Sequence, residues 1–371
     1  MRDAIKKGGC SIMAKFRKIG ILTSGGDAPG MNAAIRAVAR KALSEGIQVV
    51  GIREGYEGLI EGDVYDMTTH DVSKIITHAG TILYSSRSPR FKTPEGMEMA
   101  LNTCKEHQID AVVALGGDGT FRGATDLTNH GIPTVGIPCT IDNDITATEY
   151  TIGFDTAMNT VLDMVDALRQ TCESHKRCNV IEVMGRDCGQ IALNSGIATG
   201  ALAIAIPELA FDEEFAIHKI ASAREQGKRG LIAIVSEGVA PIHTGEKYSE
   251  YFAKTIEART GIETKFVRCG HIVRGGVPTL RDRLTATEMG YAAVNELLDG
   301  KSNEVMCLID GKIKPVDINY ALILDRMYKK KLKDGDLEQF TSAQVDEMKE
   351  TCLVRAEHIA KMHKMANEIS F

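Results

Sequence analysis

The sequence contains no apolar run close to the roughly 20 residues that a membrane-spanning helix needs, and its basic first residues are not followed by the hydrophobic segment of a secretory signal. We therefore expect no membrane partner. None of the nine cysteines forms a CxxC pair, which excludes a zinc ribbon of that spacing. An odd number of scattered cysteines predicts reduced thiols in the cytoplasm. The formal net charge of −6 argues against a nucleic-acid partner.

The composition that is present is typical of a globular protein, with 43% hydrophobic and 25% charged residues. A length of 371 residues predicts two domains. Met13 stands just before the first clear strand, so we predict that Met1–Ile12 form an unstructured extension and that Met13 is a candidate start. The Lys-rich tail from Lys329 onward is predicted to be a solvated or packing helix without a functional role.

Short β-branched runs alternate with longer helical patterns along most of the chain. The predicted strands are Lys18–Leu22, Val49–Ile52, Ala111–Leu115, Thr134–Ile137, Asn179–Met184, Ala203–Ile206 and Gly230–Val235. The predicted helices are Met31–Ser44, Met97–Gln108, Thr156–Thr171, Glu214–Glu225 and Tyr248–Arg259. This alternation predicts an α/β fold with mainly parallel sheets and helices on both faces. Ligands of such folds bind at the carboxyl ends of the strands.

Two glycine-rich loops follow predicted strands. The first, residues 23–30 (TSGGDAPG), precedes a helix whose N-terminus carries about half a positive charge, so its backbone N–H groups are suited to a phosphate. A simple tight turn would explain this Gly-Gly pair equally well. The second, residues 115–120 (LGGDGT), places Asp118 between glycines, which suits Mg²⁺ held together with phosphate oxygens. The alternative is that Asp118 is only a helix N-cap.

A third loop, residues 138–144 (PCTIDND), carries two carboxylates. Asp142 and Asp144 are two residues apart and would point to the same side of an extended chain. One could act as a general base on a hydroxyl while the other supports the metal or the geometry. The alternative is an ordinary Asx-turn.

Arginines recur beside glycine turns and strand ends, where several of them could converge on phosphate groups. The candidates are Arg87, Arg177, Arg186 and Arg274. Any one of them alone is more often a surface residue. Phosphate loops, a metal carboxylate, a candidate base and several cations together predict phosphoryl transfer.

Together these loops resemble the phosphofructokinase family from about Lys18 to about Pro315. The resemblance is carried, in order, by GILTSGGDAPGMNAAIR, GGDGTFRGA, TIDNDI, YTIGFDTA, VMGRDCG and GHIVRGG. It implies transfer of the γ-phosphoryl group of ATP to the 1-hydroxyl of fructose 6-phosphate, with Mg²⁺, in glycolysis. It also implies two interleaved domains. Residues 1–153 and 273–323 would bind nucleotide and Mg²⁺, and residues 154–272 and 324–371 would bind the sugar phosphate.

The resemblance implies a role for each matched residue. Asp142 would be the general base, Thr140 and Asp144 would hold the reacting region and the metal, and Arg186 would stabilise transition-state charge. Asp118 would bind Mg²⁺. The nucleotide would contact Gly26, Tyr56, Arg87, Ser88, Gly117, Asp118, Gly119 and Thr120.

The sugar phosphate is expected to lie in a site shared between subunits. One subunit would supply Thr140, Asp142, Met184, Gly185, Arg186, Glu237, His271 and Arg274. Arg177 and Lys265 would reach in from a neighbouring subunit, which implies a homo-oligomer, usually a tetramer in this family. Arg is usual where Lys265 stands, so the grip on the 6-phosphate is predicted to be weaker.

Two positions distinguish ATP from pyrophosphate as donor. Pyrophosphate-dependent relatives place Asp where Gly119 stands and Lys where Cys139 stands. This sequence has neither that Asp nor that Lys, which favours ATP as the donor. ATP-dependent relatives usually have Gly at the position of Cys139, so this residue is a departure from the family pattern. The alternatives are a pyrophosphate-dependent enzyme on the same fold, a related sugar phosphate as substrate, and a catalytically inactive sugar-phosphate sensor.

The effector pocket of bacterial relatives is only partly matched. Its cationic pattern is present at Arg36, Arg40, Arg169 and Lys228. Asp63, Leu202 and Gln226 stand where the pattern has Arg, Glu and Arg. A carboxylate in place of an arginine would repel a phosphorylated effector. Control by ADP and phosphoenolpyruvate is therefore expected to be weak or absent.

Overall fold

The computed structural model describes residues 16–239 and 247–370. The predicted extension Met1–Ile12 and the candidate start Met13 lie outside these residues. Across the two described ranges, no helix combines the length and the apolar character that crossing a bilayer requires.

The larger of two sheets has seven strands. They are β1 Lys18–Thr23, β2 Gln48–Ile52, β3 Val64–Met67, β4 Ala111–Gly116, β5 Thr134–Pro138, β10 Glu304–Ile309 and β11 Lys312–Asp317. Their order is β11-β10-β5-β4-β1-β2-β3. The strands pair in parallel except at the two edges, where β3 and β11 are antiparallel to their neighbours.

The smaller sheet has four strands, which all pair in parallel. They are β6 Cys178–Val183, β7 Ala203–Ala205, β8 Leu231–Ser236 and β9 Thr264–Arg268, in the order β7-β8-β6-β9. The predicted α/β class with mainly parallel sheets is confirmed. Strands β3, β9, β10 and β11 were not predicted. β3, β9 and β11 lie at sheet edges and have polar or mixed sequences, without the apolar run of a buried strand. β10 contains an apolar run at residues 305–309, which the sequence analysis missed.

Helices cover the faces of both sheets. They are α1 Met31–Ser44, α2 Gly55–Glu61, α3 Pro94–Glu106, α4 Asp118–Asn129, α5 Phe154–His175, α6 Gln190–Ala198, α7 Glu213–Glu225, α8 Tyr248–Thr260, α9 Leu280–Leu298, α10 Ile318–Tyr328 and α11 Ser342–Ile369. All five predicted helices are present, with small shifts at their ends. The sequence did not predict α4, since its two internal glycines and many polar residues disfavour a helix in isolation.

One buried carboxylate joins the two places where the chain passes between the sheets. Asp282, in the first turn of α9, is fully buried. It accepts hydrogen bonds from the backbone N–H groups of Gly153 at 2.7 Å and Thr156 at 2.9 Å, at the start of α5. These N–H groups have no partner inside α5, and a negative charge at a helix N-terminus is favourable. The starts of α5 and α9 are thereby fixed to each other. The domain borders stay a prediction.

The strand order places the glycine loops together. From β1 the sheet continues to β2 on one side, and from β4 it continues to β5 on the other, so the order reverses between β1 and β4. The carboxyl ends at such a reversal form a crevice in which ligands bind. The loops after β1, β4 and β5 all lie at this crevice, and they are the three loops that the sequence singled out.

Candidate active site

The two glycine loops form one continuous surface. The Ser24 N–H donates to the Leu115 carbonyl at 3.0 Å, and the Thr120 hydroxyl donates to the Ser24 carbonyl at 3.0 Å. A Cβ atom on Gly116 would lie 2.4 Å from the Ser24 carbonyl oxygen, so only glycine permits this approach. Cβ atoms on Gly117 or Gly119 would meet nothing within 4 Å, because both residues face open space.

A cavity of about 360 Å³ lies above this surface. Its lining includes all of the predicted catalytic and nucleotide-binding residues: Gly26, Tyr56, Arg87, Ser88, Gly117, Asp118, Gly119, Thr120, Thr140, Asp142, Asp144 and Arg186. Tyr56 forms part of the cavity wall. Its ring is buried and stacks on Phe91, and its hydroxyl donates to the Thr120 carbonyl at 2.6 Å. The fold therefore brings together residues that are up to 160 positions apart in the sequence.

Asp142 is a buried carboxylate at the floor of this cavity. It is 2% exposed, and its Oδ1 atom has no hydrogen-bond partner. Burial first, and the neighbouring Asp144 second, raise the pKa of Asp142 to about 6, although Arg274 and Arg186 oppose the rise. A carboxylate with this pKa is ionised near neutral pH and still basic enough to accept a proton.

Arg186 approaches Asp142 from the smaller sheet, with Nε 3.8 Å from Oδ2. It follows β6 in a left-handed conformation, with φ of 53°. The Glu237 carboxylate after β8 holds this turn by accepting from the backbone N–H groups of Gly185 at 3.2 Å and Arg186 at 3.0 Å. A Cβ atom on Gly238 would lie 1.8 Å from the Arg186 carbonyl oxygen, so glycine is required there. Glu237 thus fixes the backbone of the turn that carries Arg186. Met184, Gly185 and Glu237 themselves are not among the lining residues of the cavity.

A second cavity of about 460 Å³ adjoins the first. Arg87 and Arg274 line both cavities, and His271 lines the second. Arg274 crosses to the first glycine loop, where it donates to the Asp27 carbonyl at 3.0 Å. A Cβ atom on Gly26 would lie 2.7 Å from Arg274 Nη1. Cationic side chains therefore stand where the two cavities meet.

Two predicted substrate residues lie elsewhere in the chain's own fold. Arg177 immediately precedes β6 and Lys265 lies near the start of β9, at the amino ends of the strands whose carboxyl ends form the site. Both form ion pairs with Glu263, at 2.8 Å and 3.0 Å. Six strand residues separate the two edges by about 20 Å. Neither residue reaches the cavity of the same chain.

Lys329, which begins the tail that was predicted to have no functional role, lies beside the site. It follows α10, and its Nζ lies 3.6 Å from Asp144 Oδ2 and 2.7 Å from Asp325 Oδ2. Burial acts to lower the pKa of Lys329, but Asp144 and Asp325 outweigh burial and raise it. No local pattern marked this lysine, because it belongs to a run of three and only packing selects it.

Four residues at the expected effector-pocket positions have contacts or structural roles within the chain's own fold. Asp63 pairs with Arg53 at 2.9 Å, and Leu202 is buried in the apolar core beside the smaller sheet. Arg169 donates to the Gly230 carbonyl at 3.0 Å. Gln226 caps the C-terminus of α7.

The fold and the site define a phosphotransferase: two phosphate-binding glycine loops, a buried candidate base and converging arginines meet in one cleft. Residues 18–297 match the sequence model of the family described as phosphofructokinase. The chain is 48% identical over 319 residues, 86% of its length, to the ATP-dependent 6-phosphofructokinase of Clostridium botulinum strain Hall, of which it covers 98%. It is 48% identical over 317 residues to the enzyme of the same name from Clostridium tetani, covering 85% of this chain and 97% of that protein.

Solved structures agree with this match. The phosphofructokinase of Pichia pastoris superimposes with a TM-score of 0.83 at 31% identity, over 96% of this chain and 39% of that one. That of Saccharomyces cerevisiae gives a TM-score of 0.78 at 32% identity, over 91% and 50%. This chain thus spans half or less of the yeast chains. It belongs to the phosphofructokinase family.

Replacement of Asp144 by Asn should move the acid limb of kcat/KM to lower pH. In the wild type, Asp142 ionises as pH rises through about 6, so kcat/KM should rise over that range. Loss of the neighbouring negative charge favours ionised Asp142 and lowers its pKa. Protonation of the substrates themselves is the same in assays of both enzymes, so it cannot cause a difference between the two pH profiles. Coincident acid limbs in pH profiles of kcat/KM would refute the role of Asp142.

Proposed function

We propose that this protein transfers the γ-phosphoryl group of ATP to the 1-hydroxyl of fructose 6-phosphate, giving fructose 1,6-bisphosphate and ADP in glycolysis. The observation that carries the proposal is Asp142, a buried carboxylate with a raised pKa and an unpartnered oxygen in the cleft between the glycine loops and Arg186. The name of the Clostridium relatives supports the same activity. The unpaired thiols of the described cysteines fit a reducing cytoplasm.

Asp142 would take the proton of the 1-hydroxyl as that oxygen attacks the γ-phosphorus. The bond from the γ-phosphorus to the bridging oxygen breaks, and ADP leaves. Negative charge spread over the transferring group would be stabilised by Arg186 on one side and by Arg87 and Arg274 on the other. The side chain of Arg186 is 57% exposed, so it is free to adjust to the substrate.

The sugar phosphate would occupy the second cavity and the adjoining turn after β6. His271 and Arg274 line that cavity, and Met184 and Gly185 lie in the turn after β6. The 1-hydroxyl would then face Asp142, with Thr140 beside it. The donor phosphates would lie along Gly26, Gly117 and Thr120.

The residues present fit a bound Mg²⁺. Asp118 lies at the first position of α4, its Oδ2 accepts from Arg122 at 2.7 Å, and its Oδ1 is buried without a partner. Within residues 16–239 and 247–370, no three His, Cys, Asp or Glu side chains form a metal cluster. Mg²⁺ commonly takes only one or two carboxylates and completes its shell with phosphate and water. Asp118, supported by Asp144, would hold it, and it would neutralise the donor phosphates.

Purified protein given fructose 6-phosphate should form the bisphosphate with ATP and not with pyrophosphate. Gly119 faces open space, and Cys139 is a small buried residue in the same cavity. Gly119→Asp should lower kcat/KM for ATP at least about tenfold, because it sets a negative charge against the donor phosphates. Gly119→Ala is the matched control that adds bulk without charge, and it should lose much less.

Other outcomes of this assay point to the alternatives. Turnover with pyrophosphate alone would reject ATP as the donor while leaving Asp142 as the base. Turnover with neither donor would favour a sensor or a different sugar phosphate. The pyrophosphate-dependent phosphofructokinase of Marinobacter aquaeolei has a similar fold at 21% identity, which does not bear on the donor.

We propose further that the enzyme is a homo-oligomer whose sugar-phosphate site is completed by Arg177 and Lys265 of a neighbouring subunit. Their placement at the far edge of the smaller sheet supports this, since neither serves the cavity of its own chain. Both are at least partly exposed and already oriented by Glu263. The hydrogen bonds from Arg177 and Lys265 lower the pKa of Glu263 to about 2, so this carboxylate is ionised at neutral pH and keeps both cations in place.

Co-expression of Asp142→Asn and Arg177→Ala chains should recover activity that neither variant has alone. A hybrid site that takes Asp142 from one chain and Arg177 from the other contains neither substitution. The control pair, Asp142→Asn with Arg186→Gln, affects residues of one chain's own cleft and should show no recovery. Equal activity of the two mixtures in the ATP assay would reject the shared site.

Saturation with fructose 6-phosphate should be hyperbolic, and ADP or phosphoenolpyruvate should not change its shape. The reason is the altered effector pocket, in which Asp63 introduces negative charge and Leu202 offers no oxygen ligand. Initial rates with and without each compound test this. A sigmoidal curve that ADP makes hyperbolic would contradict it.

A further inference from the structure

Helix α11 lies beyond the residues that match the sequence model of the family. The match ends at residue 297, and α11 begins at Ser342. Near its start, Met348 is fully buried against Ile323 and Leu324 of α10, beside the larger sheet. Near its end, His363 Nε2 lies 2.9 Å from the Ile204 carbonyl oxygen of β7, in the smaller sheet. The helix therefore runs across both halves of the cleft.

Arg355 lies midway along α11, on its buried face. It is seven residues after Met348 and four before Ile359, and both of those side chains are buried. Its guanidinium group reaches the loop that follows β5. Nη2 donates to the Asn143 carbonyl at 2.6 Å. Nη1 lies 3.4 Å from three further carbonyl oxygens, those of Ile145, Thr146 and Thr148.

The loop that Arg355 contacts holds the candidate base. Asn143 stands between Asp142 and Asp144 and has a left-handed conformation, with φ of 49°. This conformation is costly for a residue other than glycine and persists only when its surroundings fix it. Its side-chain oxygen accepts from the Thr151 N–H at 3.0 Å, which secures the amide side chain. The short, charge-assisted bond from Arg355 secures the carbonyl.

Several carbonyls that converge in a partly buried loop need donors, and no strand or helix supplies them here. Arg355 meets this need with one planar group that can bond in more than one direction. These contacts hold the backbone that immediately follows Asp142, beginning with the residue next to it. The contact thus links the carboxy-terminal helix to the geometry of the reacting carboxylates.

We propose that Arg355 is a positioning residue for phosphoryl transfer, which fixes the Asn143 backbone and thereby the directions of Asp142 and Asp144. The proposal rests on the proposed function of this cleft. Arg355 itself lines neither of the two cavities. Its loss should allow the loop to relax, so that Asp142 is misaligned with the hydroxyl while the phosphate-binding surfaces stay intact.

Arg355→Met should lower kcat by about 10- to 100-fold, because a displacement of about 1 Å in a catalytic group is sufficient for such a loss. KM for ATP and for fructose 6-phosphate should change little. The matched control is His363→Ala, which removes a contact of the same helix with the smaller sheet and should keep the wild-type kcat. Steady-state kinetics on the full chain would separate kcat from KM.

Two further variants make the test independent of folding. Arg355→Lys keeps the positive charge but loses the planar guanidinium group, which donates hydrogen bonds in several directions. Its kcat should therefore lie between those of the wild type and Arg355→Met. If Arg355→Met does not fold, the kcat of Arg355→Lys tests the proposal instead. In Arg355→Ala, guanidinium ion at concentrations that do not affect the wild type should partly restore kcat by filling the vacated position.

The outcomes separate this inference from the proposed function. An inactive wild type would reject the function. An active wild type, with Arg355 variants as fast as His363→Ala, would reject only the role of Arg355. An equal fall of kcat in the His363 and Arg355 variants, or a change confined to KM, would also reject it, since docking of α11 or substrate binding would then be the cause.

Discussion

The arrangement of the cleft depends on the buried carboxylate of Asp282. Burial raises the pKa of this group, while the hydrogen bonds from Thr156, Tyr150 and Gly153 oppose the rise, so the fully enclosed carboxylate is stabilised by donors at the start of another helix. It fixes the point where the chain leaves the larger sheet to the point where it returns. The position of the smaller sheet, and hence of Arg186, follows from that connection.

The three carboxylates of the candidate site differ in how closely each is paired with a cationic side chain. Asp118, Asp142 and Asp144 all line one cavity. Arg122 pairs with Asp118 and Lys329 pairs with Asp144, whereas Asp142 faces Arg186 only at 3.8 Å and has a raised pKa. This difference in pairing supports the different roles proposed for the three carboxylates.

The glycine loops, Asp142 and the candidate arginines could be singled out from the sequence because each lies in a short contiguous pattern whose chemistry is local. The loops, Asp142 and three of the four arginines line one cavity, whereas Arg177 does not. Their roles stay predictions. It did not predict Lys329 or Arg355. Both lie in the lysine-rich and helical carboxy-terminal part, where single residues have no distinguishing neighbours, and their partners lie more than 180 positions away. Helix α4 was missed for a related reason, since its polar, glycine-containing sequence forms a helix only when packed against β4 and β5.

By itself, the sequence determined the class of fold, the order of the phosphate loops and the family, because strand–helix alternation and local loop chemistry are written in adjacent residues. Only the tertiary structure decided which cations reach which carboxylates, and that α11 contacts the loop after β5. These features depend on distances between segments far apart in the chain. Such distances are set by how the two sheets pack, which no local pattern encodes.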